Sequence, residues 1–179
     1  MAWVVEKASG RTYDEYVAEF ILQPLGIDIA SASVPTPSMI EHMALPYDLQ
    51  DNAPVPTQQV RYDVYSAGDI YLRPKDMARF LAAQLNGGVF RGTRILSEAS
   101  SREMQRQQFE AHPYGLGTGV VQTDGRIFLS HTGSIPGFNS LSVGEPATGT
   151  GVYIMTNSGS SMKAIGPLAQ LALTLMRGG

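Results

Sequence analysis

The chain has 179 residues, 43% of them hydrophobic and 16% charged, and this length and balance are typical of one globular domain with a buried core. Its net charge is −3 and its basic residues are scattered, which argues against a nucleic-acid partner. It contains no cysteine, which excludes disulfides and thiolate nucleophiles, and no apolar run approaches the roughly 18 residues that a membrane span needs.

The first third of the chain predicts two helices and then a long surface segment. Thr12 and Glu15 have the spacing of a capping box, and apolar residues follow at helical spacing, which predicts an amphipathic helix over 12–23. The apolar residues ahead of it predict the end of an interrupted helix over 3–9. Residues 28–66 contain five prolines and no sustained period, so we expect a long excursion over the surface.

Two more helices are predicted in the middle of the chain. Pro74 suits a first helical position, and an apolar stripe follows it up to a glycine-rich turn, which predicts a helix over 74–87. Ser97 can cap a second, more polar helix that continues to about Gln107. The region 1–111 is therefore predicted to hold helices and one long loop.

After this region the composition changes to short segments rich in β-branched and aromatic residues, separated by turn residues. Asp124-Gly125 is a strong hairpin signal, so an antiparallel meander is expected within 112–157. An apolar face predicts a helix within 158–179 that starts near Pro167. The predicted fold class is α+β, with an antiparallel sheet of about four strands flanked by helices on both faces. The strands are predicted at about 114–122, 126–132, 138–144 and 150–156.

Four blocks of the chain, taken in order, resemble one protein family in sequence and spacing. They are SGRTYDEYVAEFILQPLGI, YSAGDIYLRPKDMARFLAAQLNGG, PYGLGTGV and HTGSIPGFNSLSVGEPATGTGVYIMTN. The family is that of the serine β-lactamases and D-Ala-D-Ala peptidases, in particular its class C, esterase and D-aminopeptidase-like branch. The resemblance implies that 1–179 is a single partial domain, the C-terminal part of such a hydrolase. Its expected fold is an incomplete three-layer sandwich, with the 12–23 and 74–87 helices on one face of the sheet and the C-terminal helix on the other.

The resemblance implies three catalytic motifs, of which this chain carries one. His131-Thr132-Gly133 matches the Lys-Thr-Gly or His-x-Gly strand of the family, where Ser134 would supply an oxyanion-hole amide. Near neutrality a histidine carries less positive charge than a lysine, which points toward the esterase or peptidase relatives. Asn157 stands where the family often has a Thr-Asn pair near the substrate, and an ordinary turn asparagine is an equally open alternative. The substrate-binding candidates are therefore His131, Thr132, Gly133, Ser134 and Asn157.

The other two motifs are missing from their expected places. None of the four asparagines has a tyrosine two positions before it, so the chain has no Tyr-x-Asn motif. The one literal Ser-x-x-Lys match is 160–163, which follows the last predicted strand, whereas the motif of the family opens a buried helix upstream of the first block. A serine hydroxyl needs a neighbouring base to become a nucleophile. We therefore predict a serine-hydrolase fragment that is inactive alone, with a non-catalytic peptide-binding or structural module as the alternative.

Expectations for partners follow from the same observations. No metal or cofactor is predicted, because His42 and His112 have no second ligand at metal-binding spacing. The full-length protein is expected to act on a small-molecule or peptide substrate, without nucleic acid and without a membrane span. The first residues do not have the composition of a signal peptide, which leaves the compartment open.

Because strands from the N-terminal part of the family fold join this sheet, we expect an unpaired sheet edge and self-association through it.

Overall fold

A four-stranded antiparallel sheet forms the centre of the computed structural model, which describes residues 1–28, 34–51, 53–58, 65–68 and 70–177. Each strand pairs with the next one along the chain, so the sheet is the predicted meander. Asp124 and Gly125 have positive φ angles of 50° and 71°, which suits the two-residue turn between the first two strands. The strands are β5 (Gly119–Thr123), β6 (Arg126–Ile135), β7 (Phe138–Glu145) and β8 (Thr150–Thr156).

The first strand of this sheet begins later than predicted. The predicted start was residue 114, whereas β5 begins at Gly119. The reason is that the N–H of Gly115 donates to the carbonyl of Thr118 at 2.8 Å in a local turn, and the N–H of Leu116 donates to the carbonyl of Met104 at 2.9 Å. Backbone groups used in this turn are not free to extend the ladder.

Helices cover both faces of the sheet, as predicted. On one face lies α4 (Pro74–Leu85), and a Cβ built on Gly144 of β7 would stand 2.6 Å from the Leu85 side chain. On the other face lies α6 (Met162–Arg177), and Asn139 of β7 donates to the hydroxyl of Ser161, the residue just before this helix. Gly144 and Asn139 are an odd number of positions apart along one strand, and therefore point to opposite faces. The four-stranded sheet with flanking helices confirms the α+β fold class.

The helix α6 begins five residues earlier than predicted. The N–H groups of Ala164 and Ile165 donate to the carbonyl of Ser161, so the first turn forms ahead of Pro167. Pro167 consequently lies inside the helix, where it removes one backbone donor. The described helices include none that is both long and apolar enough to cross a membrane.

The predicted helix over 12–23 is present but is not regular. Thr12 and Glu15 form the predicted capping box in front of α2 (Tyr13–Val17), and α1 (Ala2–Ser9) precedes it. The chain then widens into a π-helical turn, Ala18–Leu22, and closes in a 3₁₀ turn, Gln23–Leu25. A π turn inserts one residue into the helical register, and here its last residue and two residues after it are buried in one cluster with Ala83 of α4. These buried residues are Leu22, Leu25 and Ile27.

The region 1–111 contains more than helices and a loop, so that prediction was wrong in detail. The expected excursion over 28–66 includes a short helix and a β-hairpin, and a second hairpin follows α4, which ends at residue 85 instead of 87. The segments 29–33 and 59–64, together with residue 52, lie outside the described residues. The additional elements are α3 (Pro37–Glu41), β1 (Tyr47–Gln50), β2 (Ala53–Pro56), a 3₁₀ turn (Tyr65–Ala67), β3 (Val89–Phe90), β4 (Thr93–Arg94) and α5 (Glu98–Gln105).

Candidate functional site

The strand β6 extends beyond its neighbour β5 and carries the four candidate residues 131–134. The β5 pairing ends where Gly119 stands opposite Ser130. From 131 to 135 the strand pairs with β7 alone, so in the described part of the chain its outer backbone side has no strand partner. We call this outer side of 131–135 the β6 open edge. An unpaired strand edge can accept another extended chain.

Alternation along β6 determines which backbone groups face the β6 open edge. On the β5 side, the Thr118 hydroxyl donates to the carbonyl of Ser130 at 3.3 Å. On the β7 side, the Ser142 hydroxyl lies 3.5 Å from the carbonyl of His131. Because successive residues of an antiparallel strand direct their N–H and C=O to opposite sides, the backbone groups of Thr132 and Ser134 point outward. The edge therefore offers a donor and an acceptor at alternate positions, as an extended substrate requires.

The side chains around the edge are mostly polar and accessible. His131, Thr132 and Ser134 are exposed. The imidazole of His131 packs edge-on against Tyr114, with 6.5 Å between ring centroids and 61° between ring planes. A Cβ on Gly133 would stand 2.6 Å from the Ser140 hydroxyl oxygen. Because this distance is too short for a side chain, the position suits glycine. The sequence interpretation did not single out Tyr114, although it lies in the resembling block PYGLGTGV.

Asn157 is separated from the other candidates by the width of β7. It directly follows β8, and its side-chain Nδ2 donates to the carbonyl of Leu45 at 2.9 Å. The N–H of Tyr47 in turn donates to the carbonyl of Asn157 at 2.9 Å. Asn157 thus holds the segment before β1 against the end of the sheet. The structure brings His131–Ser134 together on one strand, and it places Asn157 in a separate hydrogen-bonded cluster.

This cluster joins three segments that are distant in sequence, and we call it the corner: 45–48, 136–139 and 157–161. Asn139 is 3% exposed, and its Nδ2 donates to the carbonyls of Ser158 and Gly159 at 2.8 and 2.9 Å. A Cβ on Gly137 would stand 2.2 Å from the Cβ of buried Pro46. The corner closes the end of the sheet to which β6 runs after Ser134. No local sequence pattern predicted this contact.

The serine of the literal Ser-x-x-Lys match also belongs to the corner. The Ser160 hydroxyl donates to Oδ1 of Asp48, and Lys163 is exposed on α6. A serine becomes a nucleophile when a neighbouring base accepts its proton. Here the group that accepts the hydrogen bond of Ser160 is a carboxylate and not an amine. On the sheet, burial raises the pKa of Tyr153, so its phenol stays protonated at neutral pH.

The hydrogen bond from Ser160 makes the stability of the corner depend on pH. This bond, followed by that from the Leu49 N–H, lowers the pKa of Asp48 below its ordinary value of 3.8. Because the folded-state pKa is the lower one, the stabilisation is fully present above about pH 4 and is lost as the pH falls through the folded-state pKa. As the pH falls from about 5 to 3, the free energy of unfolding of Asp48→Asn should decrease less steeply than that of the wild type.

Urea denaturation at a series of pH values measures this difference. Asp51→Asn provides the matched control, since Asp51 is an exposed carboxylate in the turn after β1. It should keep the pH dependence of the wild type. An unchanged slope in Asp48→Asn would contradict the role given to this carboxylate.

Comparisons with known proteins agree with this architecture. The family model described as Beta-lactamase matches residues 1–175. A curated relative from Bacillus subtilis, PbpX, whose name places it among penicillin-binding proteins, is 26% identical over 164 residues. That alignment covers 91% of this chain and 39% of PbpX.

Solved structures show the same fold. The octameric penicillin-binding protein homologue from Pyrococcus abyssi superposes with a TM-score of 0.77 at 25% identity, over 99% of this chain and 40% of that one. The D-amino acid amidase from Ochrobactrum anthropi SV3 has a TM-score of 0.69 at 20% identity, over 99% of this chain and 56% of that one. The chain thus spans about 40% of the length of PbpX and of the archaeal homologue, as a partial chain does. With a family model that matches nearly all of its length, the chain belongs to the beta-lactamase family.

Proposed function

We propose that this chain supplies the substrate-aligning strand of a serine hydrolase that cleaves a β-lactam, an ester or a D-amino-acid peptide. The β6 open edge carries the proposal, because it presents outward backbone groups of Thr132 and Ser134 beside exposed His131. An extended acyl substrate can pair with this edge as an added strand. The Ser134 N–H would then donate to the oxygen that becomes negative during acyl transfer.

The proposed reaction passes through an acyl-enzyme. A serine oxygen outside these 179 residues forms an ester with the acyl carbon while a base takes its proton, and the leaving amine or alcohol receives a proton as its bond to that carbon breaks. Water then hydrolyses the ester. The residues of this chain hold the substrate backbone in line, and His131 faces a carboxylate or another acceptor of the substrate. Holding reactants in a fixed geometry is itself a large part of catalysis.

We propose that the 179 residues alone do not form an acyl-enzyme. The Ser160 hydroxyl is engaged with Asp48, which supports this proposal. Incubation with a fluorescent penicillin and with an ester-directed phosphonate probe should give no covalent band above a heat-denatured control. Ser160→Ala is the matched variant and should give the same result. Robust labelling that disappears in Ser160→Ala would show that the chain is a complete nucleophilic catalyst.

A non-catalytic peptide-binding module is the second candidate, since the β6 open edge can pair with a peptide whether or not a nucleophile is present. The coding sequence ahead of this region separates the two candidates. An in-frame Ser-x-x-Lys and Tyr-x-Asn there would favour the hydrolase. A natural start without them would favour the module.

We also propose that the chain self-associates through an unpaired sheet edge. The Pyrococcus abyssi homologue is described as octameric, which shows that this architecture is found in assemblies. An exposed strand edge is a template for pairing with another chain. The β6 open edge and the outer side of β8 are both available among the described residues.

A further inference from the structure

Tyr114 stands at the end of the β6 open edge that lies nearest to β5. Its ring packs edge-on against the imidazole of His131, with 6.5 Å between ring centroids. A Cβ built on Gly119, the first residue of β5, would lie 3.8 Å from Cδ2 of Tyr114. The same ring therefore borders both the start of β5 and the first residue of the β6 open edge.

The backbone of Tyr114 is held in place by hydrogen bonds. Its N–H donates to the carbonyl of His112 at 2.7 Å, and its carbonyl accepts from the N–H of Gln108 at 3.0 Å. Tyr114 also forms an isolated antiparallel bridge with Gly119. The residue is nevertheless 43% exposed. A ring that is fixed at its backbone and open to its surroundings can contact a ligand with little loss of conformational freedom.

An extended ligand on the β6 open edge lies in line with β5, on the same side of β6. The chain itself fills that side as far as Thr118, whose hydroxyl donates to the carbonyl of Ser130, and it turns away at Gly117, which has a positive φ of 86°. A ligand therefore ends where this turn begins, beside Tyr114 and His131. If it runs antiparallel to β6, as β5 and β7 do, the end that lies there is its C-terminus.

This end of the edge is the part that can distinguish large side chains. The next residues along the edge, Thr132, Gly133 and Ser134, have small side chains or none. At the β5 end, by contrast, two aromatic rings are already packed together at an angle of 61° between their planes. A third ring on the last residue of a ligand would extend this cluster, and ring contacts of this kind strengthen binding by roughly three- to tenfold.

We propose that Tyr114 is a specificity-determining residue, which with His131 selects an aromatic side chain on the last residue of the bound chain. The inference rests on the function proposed above, because it requires the substrate to pair with the β6 open edge. It narrows the substrate class to acyl compounds and peptides that carry an aromatic group at the end lying beside β5.

Titration of the ¹⁵N-labelled chain with two peptides tests the proposal. Acetyl-Ala-Ala-Phe and acetyl-Ala-Ala-Ala, each with a free C-terminus, differ only in the last side chain, and each is made with an L and with a D last residue. Shifts of the Thr132 and Ser134 amide signals report pairing with the β6 open edge. In the configuration that binds better, the phenylalanine peptide should bind roughly three- to tenfold more tightly than the alanine peptide.

Variants of the ring assign this preference to Tyr114. Tyr114→Ala should reduce the preference to less than about twofold and leave the affinity for the alanine peptide unchanged, whereas Tyr114→Phe retains the ring and should keep the preference. Phe109→Ala is the matched control, since Phe109 is an aromatic residue of the same segment that is 70% exposed, and it should also keep the preference. Circular dichroism verifies the fold of each variant.

The possible failures point to different proposals. Equal affinities of the two peptides for the wild type, or an undiminished preference in Tyr114→Ala, would refute the role of Tyr114 and leave the β6 open edge as the substrate-aligning strand. If neither peptide shifted the Thr132 and Ser134 signals at millimolar concentration, the edge itself would lose this role, and the proposed function would fail together with the inference.

Discussion

Gly137→Ala is expected to lower the free energy of unfolding by about 2–5 kcal/mol, through two costs that add. Gly137 has a φ of 79°, a left-handed conformation that costs other residues about 1–2 kcal/mol. The new Cβ would stand 2.2 Å from the Cβ of Pro46, which is buried and cannot move aside freely. Such overpacking costs about 1–3 kcal/mol more.

Gly125→Ala is the matched control that separates the two costs. Gly125 has a similar φ of 71°, and no atom lies within 4 Å of a Cβ built on it. Gly125→Ala should therefore lower the free energy of unfolding by the conformational cost alone, about 1–2 kcal/mol. Urea denaturation followed by circular dichroism measures both variants. Equal losses at the two positions would show that the contact between Gly137 and Pro46 does not constrain the corner.

The sheet was predictable because its signals are local. Asp124-Gly125, Pro136-Gly137 and the turn residues before β8 separate four β-rich segments, and the structure pairs these segments in chain order. The capping box at Thr12 and the start of α4 at Pro74 are also local signals, and both are present. In each case a few adjacent residues determine the backbone conformation.

The elements that sequence interpretation missed depend on distant contacts. The segment around Leu45 and Tyr47 carries no period, and it is held by hydrogen bonds to Asn157, more than a hundred positions along the chain. The π turn Ala18–Leu22 likewise follows from the burial of its last residue and of the residues after it, and no pattern within the helix indicates it. Tertiary packing overrides local propensity in both cases.

The candidate site was predictable in part. The resemblance indicated His131–Ser134 as a substrate-aligning strand, and the structure places these residues on β6 beside an open edge. The outward direction of the Thr132 and Ser134 backbone groups requires the register with both neighbouring strands, which a motif does not contain. Asn157 was a candidate substrate contact, with an ordinary turn asparagine as the open alternative, and in the structure its side chain donates to the carbonyl of Leu45 in the corner.

Asn139 is buried in the corner, and Asn139→Ala is expected to lower the free energy of unfolding by about 2–4 kcal/mol. Its Nδ2 is buried and donates to the carbonyls of Ser158 and Gly159. Removing this donor takes a hydrogen bond from the Gly159 carbonyl and opens a cavity beside β7, whereas the Ser158 carbonyl still accepts from the Ser161 hydroxyl at 2.8 Å. Urea denaturation at neutral pH measures the loss.

Two further variants distinguish a lost donor from a lost volume. Asn139→Asp keeps the size but places a carboxylate, which only accepts hydrogen bonds, against the same carbonyls. It should be at least as destabilising as Asn139→Ala at neutral pH and should recover as acid protonates it. Asn157→Ala removes one exposed donor and should cost only about 0.5–1.5 kcal/mol. If Asn139→Asp matched the wild type at neutral pH, hydrogen bonding by this amide could not be what holds the segment after β8 against β7.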